Sequence, residues 1–140
     1  MDYVLTENLA ENFFTAAGVE YFTEKYIHEI EEMFGLDLSA ISADDTSTKR
    51  FDFVVKGTYN IFGIETNFYA SSGSKLNETA RSYKTIANEA RGIDGFKFVW
   101  ITDGKGWQNA RNNLKETFLV LPTMYNIRDM ENGIFLELFK

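Results

Sequence analysis

The sequence predicts an α/β domain in which helices flank a mixed β-sheet, and three stretches carry that prediction. Phe51–Phe68 alternates apolar and polar residues around a turn at Gly57, as a β-hairpin does. Phe96–Thr102 is a nearly continuous apolar run with Trp100 inside it, the pattern of a central strand buried on both faces. Between them, Leu76, Ala80, Tyr83, Ala87 and Ala90 recur at helical spacing, and their small side chains let a helix lie close against a sheet.

Taken in order, Met1–Thr15 is moderately apolar and offers a helix without a firm boundary. From Val19 the residues Phe22, Tyr26, Ile30 and Met33 follow at three and four, which predicts one amphipathic helix ending near Gly35. Its outer face would carry Glu20, Glu24, Glu31 and Glu32. Leu36–Lys49 is a polar connection rich in Asp, Ser and Thr, after which Lys49 and Arg50 open the hairpin, two basic residues that could meet phosphate. In the first arm Phe51, Phe53 and Val55 are expected on one face and Asp52, Val54 and Lys56 on the other. In the returning arm Tyr59, Ile61, Gly63, Glu65, Asn67 and Tyr69 share a face opposite Phe62, Ile64 and Phe68. If Asp52 lies across from Glu65, two carboxylates converge where a hard cation could bind through oxygen.

The loop before the next helix, SSGSK, could offer backbone amides and Lys75 to an anion, although it lacks the spacing of a P-loop. Glu78, Arg81 and Ser82 then fall on the helix side away from the sheet, where Arg81 is either half of a surface ion pair with Glu78 or a phosphate clamp. After the central strand, TDGKGW makes a tight turn with Asp103 or Thr102 as cap for a helix starting near Trp107 and stopping before Pro122, and Lys105 stands at that turn. Met124–Ile127 and Ile134–Phe139 read as short strands joined at Asn132-Gly133, the last one apolar enough to need a pairing partner in the fold or in a second subunit.

The composition narrows the chemistry. The 140 residues, 44% hydrophobic and 16% aromatic, suffice for one domain with a substantial core. With no cysteine there is no disulfide, thiolate site or cysteine nucleophile, which suits a reducing cytoplasm. The one histidine, His28, makes a multi-histidine metal site or a Ser-His-Asp triad a poor fit. No signal-peptide pattern and no apolar run of bilayer length is present, so no membrane partner is expected. The net charge of −7 opposes nucleic-acid binding, but it is unevenly spread. Met1–Asp45 holds eleven acidic residues against Lys25 alone, a net of −10, and Thr46–Lys140 holds ten acidic against thirteen basic, a net of +3. The carboxylate hairpin lies in the second part.

The run IETNFYASSGSKLNETARSY, followed by FKFVWITDGKGW and MYNI, resembles the DpnII/MboI family of Type II restriction endonucleases, members of the PD-(D/E)xK nuclease superfamily. The likeness extends from about Gly18 to about Ile127, with Met1–Ala17 less defined, inside a single nuclease-like domain of residues 1–140. It implies a restriction-endonuclease-like core and Mg2+-dependent cleavage of duplex DNA at GATC, with Mn2+ as a possible substitute. It also implies a two-fold homodimer. Asp52 and Glu65 would be the metal ligands and Asn67 would orient the water or a ligand. The superfamily usually has a lysine two residues after the glutamate, where this chain has Asn67, so the catalytic cation would come from elsewhere, with Lys75 the nearest candidate. Arg81 and Lys105 would meet DNA, and Glu24 would be the first-helix acid that reaches the metal, with Glu78, next to Arg81 on its helix, a further candidate. Family members are considerably longer, which implies a missing recognition domain or a second polypeptide. The alternative is a non-cleaving binding or dimerisation module of a truncated or split enzyme, favoured by the acidic first third and the absent lysine.

Overall fold

The computed structural model describes residues 3–41, 49–69, 73–104, 106–107 and 111–140. Five strands form one sheet in sequence order: β1 (Glu20–Tyr26), β2 (Arg50–Lys56), β3 (Ile61–Phe68), β4 (Phe96–Asp103) and β5 (Met124–Tyr125). The first three pair antiparallel, whereas β3–β4 and β4–β5 are parallel, which is the mixed sheet expected. Parallel neighbours need a crossover, and α3 (Ser74–Ala90) and α4 (Arg111–Val120) provide the two required. The remaining helices are α1 (Tyr3–Ala17), α2 (Ile27–Phe34), α5 (Ile127–Glu131) and α6 (Ile134–Leu138).

Each sheet face has its own core. On one, Phe51, Val54, Phe96, Phe98 and Trp100 meet Ile27 and Ile30 of α2 and Leu76, Ala80, Ala87 and Ala90 of α3. On the other, Phe53, Val55, Phe62, Ile64, Val99 and Ile101 meet Ala10 and Phe14 of α1, Met130 of α5 and Phe135 of α6. Helices cover both faces, so β4 is buried on both sides as its apolar run predicts. Among the described residues no helix is long and apolar enough to cross a membrane.

Three expectations are corrected. Val19–Gly35 is not one helix: Glu20–Tyr26 is the edge strand β1, and only Ile27–Phe34 is helical. Tyr21 and Phe22, adjacent in sequence, pair with Val55 and Val54 and send their rings to opposite cores, which a strand allows and a helical stripe does not. Met33, expected on the apolar stripe, is exposed, while Gly35 ends the helix as read, with φ +68°. Second, Ile134–Phe139 is not a strand: Ile134–Leu138 is helical and Phe139 caps it. A short apolar run fits either period, and the spacing of four between Phe135 and Phe139 puts both rings on Phe14, at 5.0 and 6.0 Å. The expected need for a strand partner there disappears. Third, Phe51 does not share a face with Phe53 and Val55 but joins Val54. The alternation breaks at Asp52, flanked across β1 by Glu24, which is held at φ +51° between the Thr23–Phe53 and Lys25–Phe51 pairs.

Candidate active site

The β2–β3 register runs from Lys56–Ile61 to Phe53–Ile64, and one residue beyond its end the Asp52 and Glu65 side chains lie within hydrogen-bonding reach of each other. The hairpin alone thus brings together the two predicted carboxylates. Gly63 permits the close packing behind them, since a Cβ there would stand 2.7 Å from Phe96 and 3.2 Å from Phe51. Asp52 Oδ2 accepts from the Thr66 amide at 2.9 Å and from the Thr66 hydroxyl at 3.3 Å, two bonds that fix the carboxylate against the next strand.

Glu65 is only 5% exposed. Burial pushes its carboxyl up to about 8, the Lys49 ammonium pulls it down, and the neighbouring Asp52 charge pushes it up again. Lys49 Nζ donates to Glu65 Oε1 and also lies 4.9 Å from the Phe51 ring centre and 5.5 Å from that of Tyr83.

Asn67 shares the Glu65 face as read, but its amide is engaged. Trp100 Nε1 donates to Asn67 Oδ1, and Asn67 Nδ2 donates to the Tyr83 hydroxyl at 3.4 Å. Behind them the Trp100 and Trp107 rings stack edge to face at 5.4 Å, and Trp107 Nε1 donates to Thr102 Oγ1 at 2.9 Å. The result is an aromatic floor under the carboxylates. Burial first, then the Glu65 charge, lifts the Tyr83 phenol far above its usual range, so it stays a neutral hydroxyl.

The other predicted residues are placed differently. Lys75, Glu78 and Arg81 are exposed on α3, and Glu24, on a strand rather than a first helix, pairs with Arg50 at 3.7 Å on the surface. Lys105 lies outside the described residues, as do Ala70 and the first two residues of the SSGSK loop, Ser71 and Ser72. Asp103 and Thr102 do not cap α4. Asp103 accepts from the Gly104 and Ile127 amides at 2.7 and 3.0 Å, and Thr102 accepts from Trp107. Lys49, read in the sequence as a strand-entrance cation that could meet phosphate, has a partner in Glu65 that sequence reasoning did not find. The available signal was a buried glutamate on β3 in need of a counter-charge, with few basic residues on neighbouring strands to supply it.

Among the described residues two carboxylates are gathered here, and no cluster of three or more histidines, cysteines, aspartates or glutamates occurs. That donor set fits Mg2+, which takes one or two carboxylates and keeps several waters.

A sequence model described as DpnII restriction endonuclease matches residues 4–137, nearly the whole chain. The chain belongs to the DpnII restriction endonuclease family. Among its relatives, the Type II restriction enzyme DpnII of Streptococcus pneumoniae is 52% identical over 136 residues, covering 94% of this chain and 47% of the relative. The Type II restriction enzyme MboI of Moraxella bovis is 42% identical over 109 residues, 78% of this chain and 38% of the relative. MjaIII of Methanocaldococcus jannaschii, also named a Type II restriction enzyme, is 35% identical over 125 residues, 86% of this chain and 41% of the relative. The chain therefore spans less than half the length of these DpnII-family relatives. The family match takes in α1 and α6, beyond the Gly18–Ile127 region of the sequence resemblance. No solved structure matches the chain.

Proposed function

We propose that this chain is the nuclease portion of a Type II restriction enzyme, hydrolysing phosphodiester bonds of duplex DNA at GATC sites with Mg2+. The observation that carries the reading is the Asp52–Glu65 pair, set face to face on adjacent strands in a chain whose relatives are named Type II restriction enzymes. Asp52 and Glu65 would hold the ion, which supplies a polarised phosphate and a more acidic water. In the reaction the water oxygen forms a bond to phosphorus as one ester P–O bond breaks; the water loses a proton and the departing alkoxide gains one. Asp52 is oriented by Thr66, and Glu65 is desolvated, so that its carboxyl holds a proton in the metal-free chain and would give it up to a bound cation. Asn67, fixed between Trp100 and Tyr83 on the Glu65 face, would orient the water or a metal ligand. Lys75 and Arg81, exposed on α3, give the DNA backbone two cations. GATC is a two-fold symmetric sequence and suits a homodimer in which each subunit cuts one strand.

The test is cleavage of an unmethylated GATC duplex with and without Mg2+, against a scrambled duplex. Metal-dependent cutting by the wild-type chain that Asp52→Ala abolishes is the expected result. A folded, metal-loaded chain that leaves the duplex intact would move the reading to the non-cleaving binding or dimerisation module.

A further inference from the structure

We propose that Lys49, entering from the start of β2, is the catalytic cation of this site, taking the place that Asn67 leaves without charge; this rests on the nuclease reading above. A lysine at position 67 would share the Glu65 face by the period of the strand. Asparagine stands there instead, its amide tied to Trp100 and Tyr83 and lacking positive charge. The ammonium that reaches Glu65 comes from the neighbouring strand. Lys49 Nζ bonds Glu65 Oε1 and is walled by the Phe51 and Tyr83 rings, with its side chain only 17% exposed. Tyr83 joins the two substitutions, since its hydroxyl accepts from Asn67 while its ring faces Lys49.

The backbone at this point is also fixed. The Lys49 carbonyl accepts from the Ile27 amide at 3.2 Å, which pins the strand entrance to the β1–α2 junction and aims the side chain along the sheet. The contrast with the next residue is informative. Arg50 is exposed and makes an ordinary surface pair with Glu24, whereas Lys49 is drawn out of water against a buried carboxyl. A buried pair of that kind is a poor way to gain stability, because the desolvation of both ions opposes their attraction. Its use is chemical. As negative charge gathers on the phosphate oxygens during hydrolysis, a cation one hydrogen bond from Glu65 is placed to offset it. Lys75, exposed on α3, is left to the DNA backbone.

The chain contains no cysteine, which allows a specific test. In Lys49→Cys the introduced thiol can be aminoethylated to restore an ammonium of nearly the same reach, or carbamidomethylated to add similar bulk without charge. Single-turnover cleavage of a GATC duplex and Mn2+ binding by calorimetry are measured on each, with Lys75→Met alongside. The expected result is a rate at least about a hundredfold below wild type for Lys49→Cys, the scale of losing one transition-state charge partner. Mn2+ affinity should stay level or rise, because a competing cation has gone. Aminoethylation should recover most of the rate and carbamidomethylation none, while Lys75→Met, at a residue given to the DNA backbone, should weaken duplex binding and lower the saturated single-turnover rate far less than Lys49→Cys does. The proposal is overturned if Lys49→Cys cuts at nearly the wild-type rate, if Lys75→Met shows the collapse instead, or if both alkylations act alike. Failure of the wild-type chain to cut would remove the nuclease reading itself; wild type and Lys49→Cys cutting equally would remove only the role of Lys49.

Discussion

Replacing Glu65 by glutamine in the metal-free protein should change how stability depends on pH. The Glu65 carboxyl is lifted from 4.5 to about 8, chiefly by burial and further by Asp52, against the pull of Lys49. Because the folded value is the higher one, between those two pH values the native state keeps a proton that the unfolded chain has released. Raising the pH therefore costs native stability across the window from about 4.5 to about 8, and no more beyond it. At about 1.4 kcal/mol per pH unit, the whole window corresponds to about 5 kcal/mol for complete retention of the proton. That is comparable to the entire stability of a small domain. The side chain introduced by Glu65→Gln is close in shape to the protonated carboxyl, does not titrate, and leaves Lys49 able to turn towards water. Urea denaturation in EDTA from pH 5 to pH 9 measures both proteins, and their difference isolates Glu65 together with the two groups coupled to it, Lys49 and Asp52. The variant should gain several kcal/mol on wild type across the range. Parallel curves would refute the reasoning and show that Glu65 keeps an ordinary carboxylate value in the folded chain.

Two other substitutions probe the scaffold. Gly104→Ala should cost more than about 3 kcal/mol in chemical denaturation, since the new Cβ would lie 2.0 Å from the Tyr69 carbonyl oxygen at φ +123°, whereas Gly92→Ala, with nothing within 4 Å, should be close to neutral. Asn67→Ala leaves the Trp100 indole N–H without its acceptor and should lower stability by about 1–3 kcal/mol, read from the denaturation midpoint at unchanged slope.

The parts of this fold that were legible in sequence are those where one period dominates. The alternation of β3, the apolar run of β4 and the small-residue stripe of α3 each have a single reading, and each element forms where expected. Illegible stretches were those whose apolar residues fit two periods. Val19–Met33 satisfies a helical stripe on paper, but Tyr21 and Phe22 find partners on β2 only as a strand, and that pairing is set by tertiary contacts with Val55 and Val54. Ile134–Phe139 fails in the opposite sense, because Phe14 and Phe62 on distant elements supply the pocket for a helical face. The Asp52–Glu65 approach was readable because a hairpin is local. The Lys49–Glu65 bond was not, since it depends on how the chain enters β2 after a long polar connection and on a break of alternation at Asp52 that no local pattern announces.

What would make this hairpin a nuclease site is an ion held by Asp52 and Glu65 together. Anomalous diffraction from crystals soaked in Mn2+ tests that claim most directly. The predicted result is one peak about 2 Å from carboxylate oxygens of both residues, the reach of a hard divalent cation to its oxygen ligands. Mn2+ bound elsewhere on the chain, or no peak at saturating Mn2+ with both carboxylates in place, would contradict it.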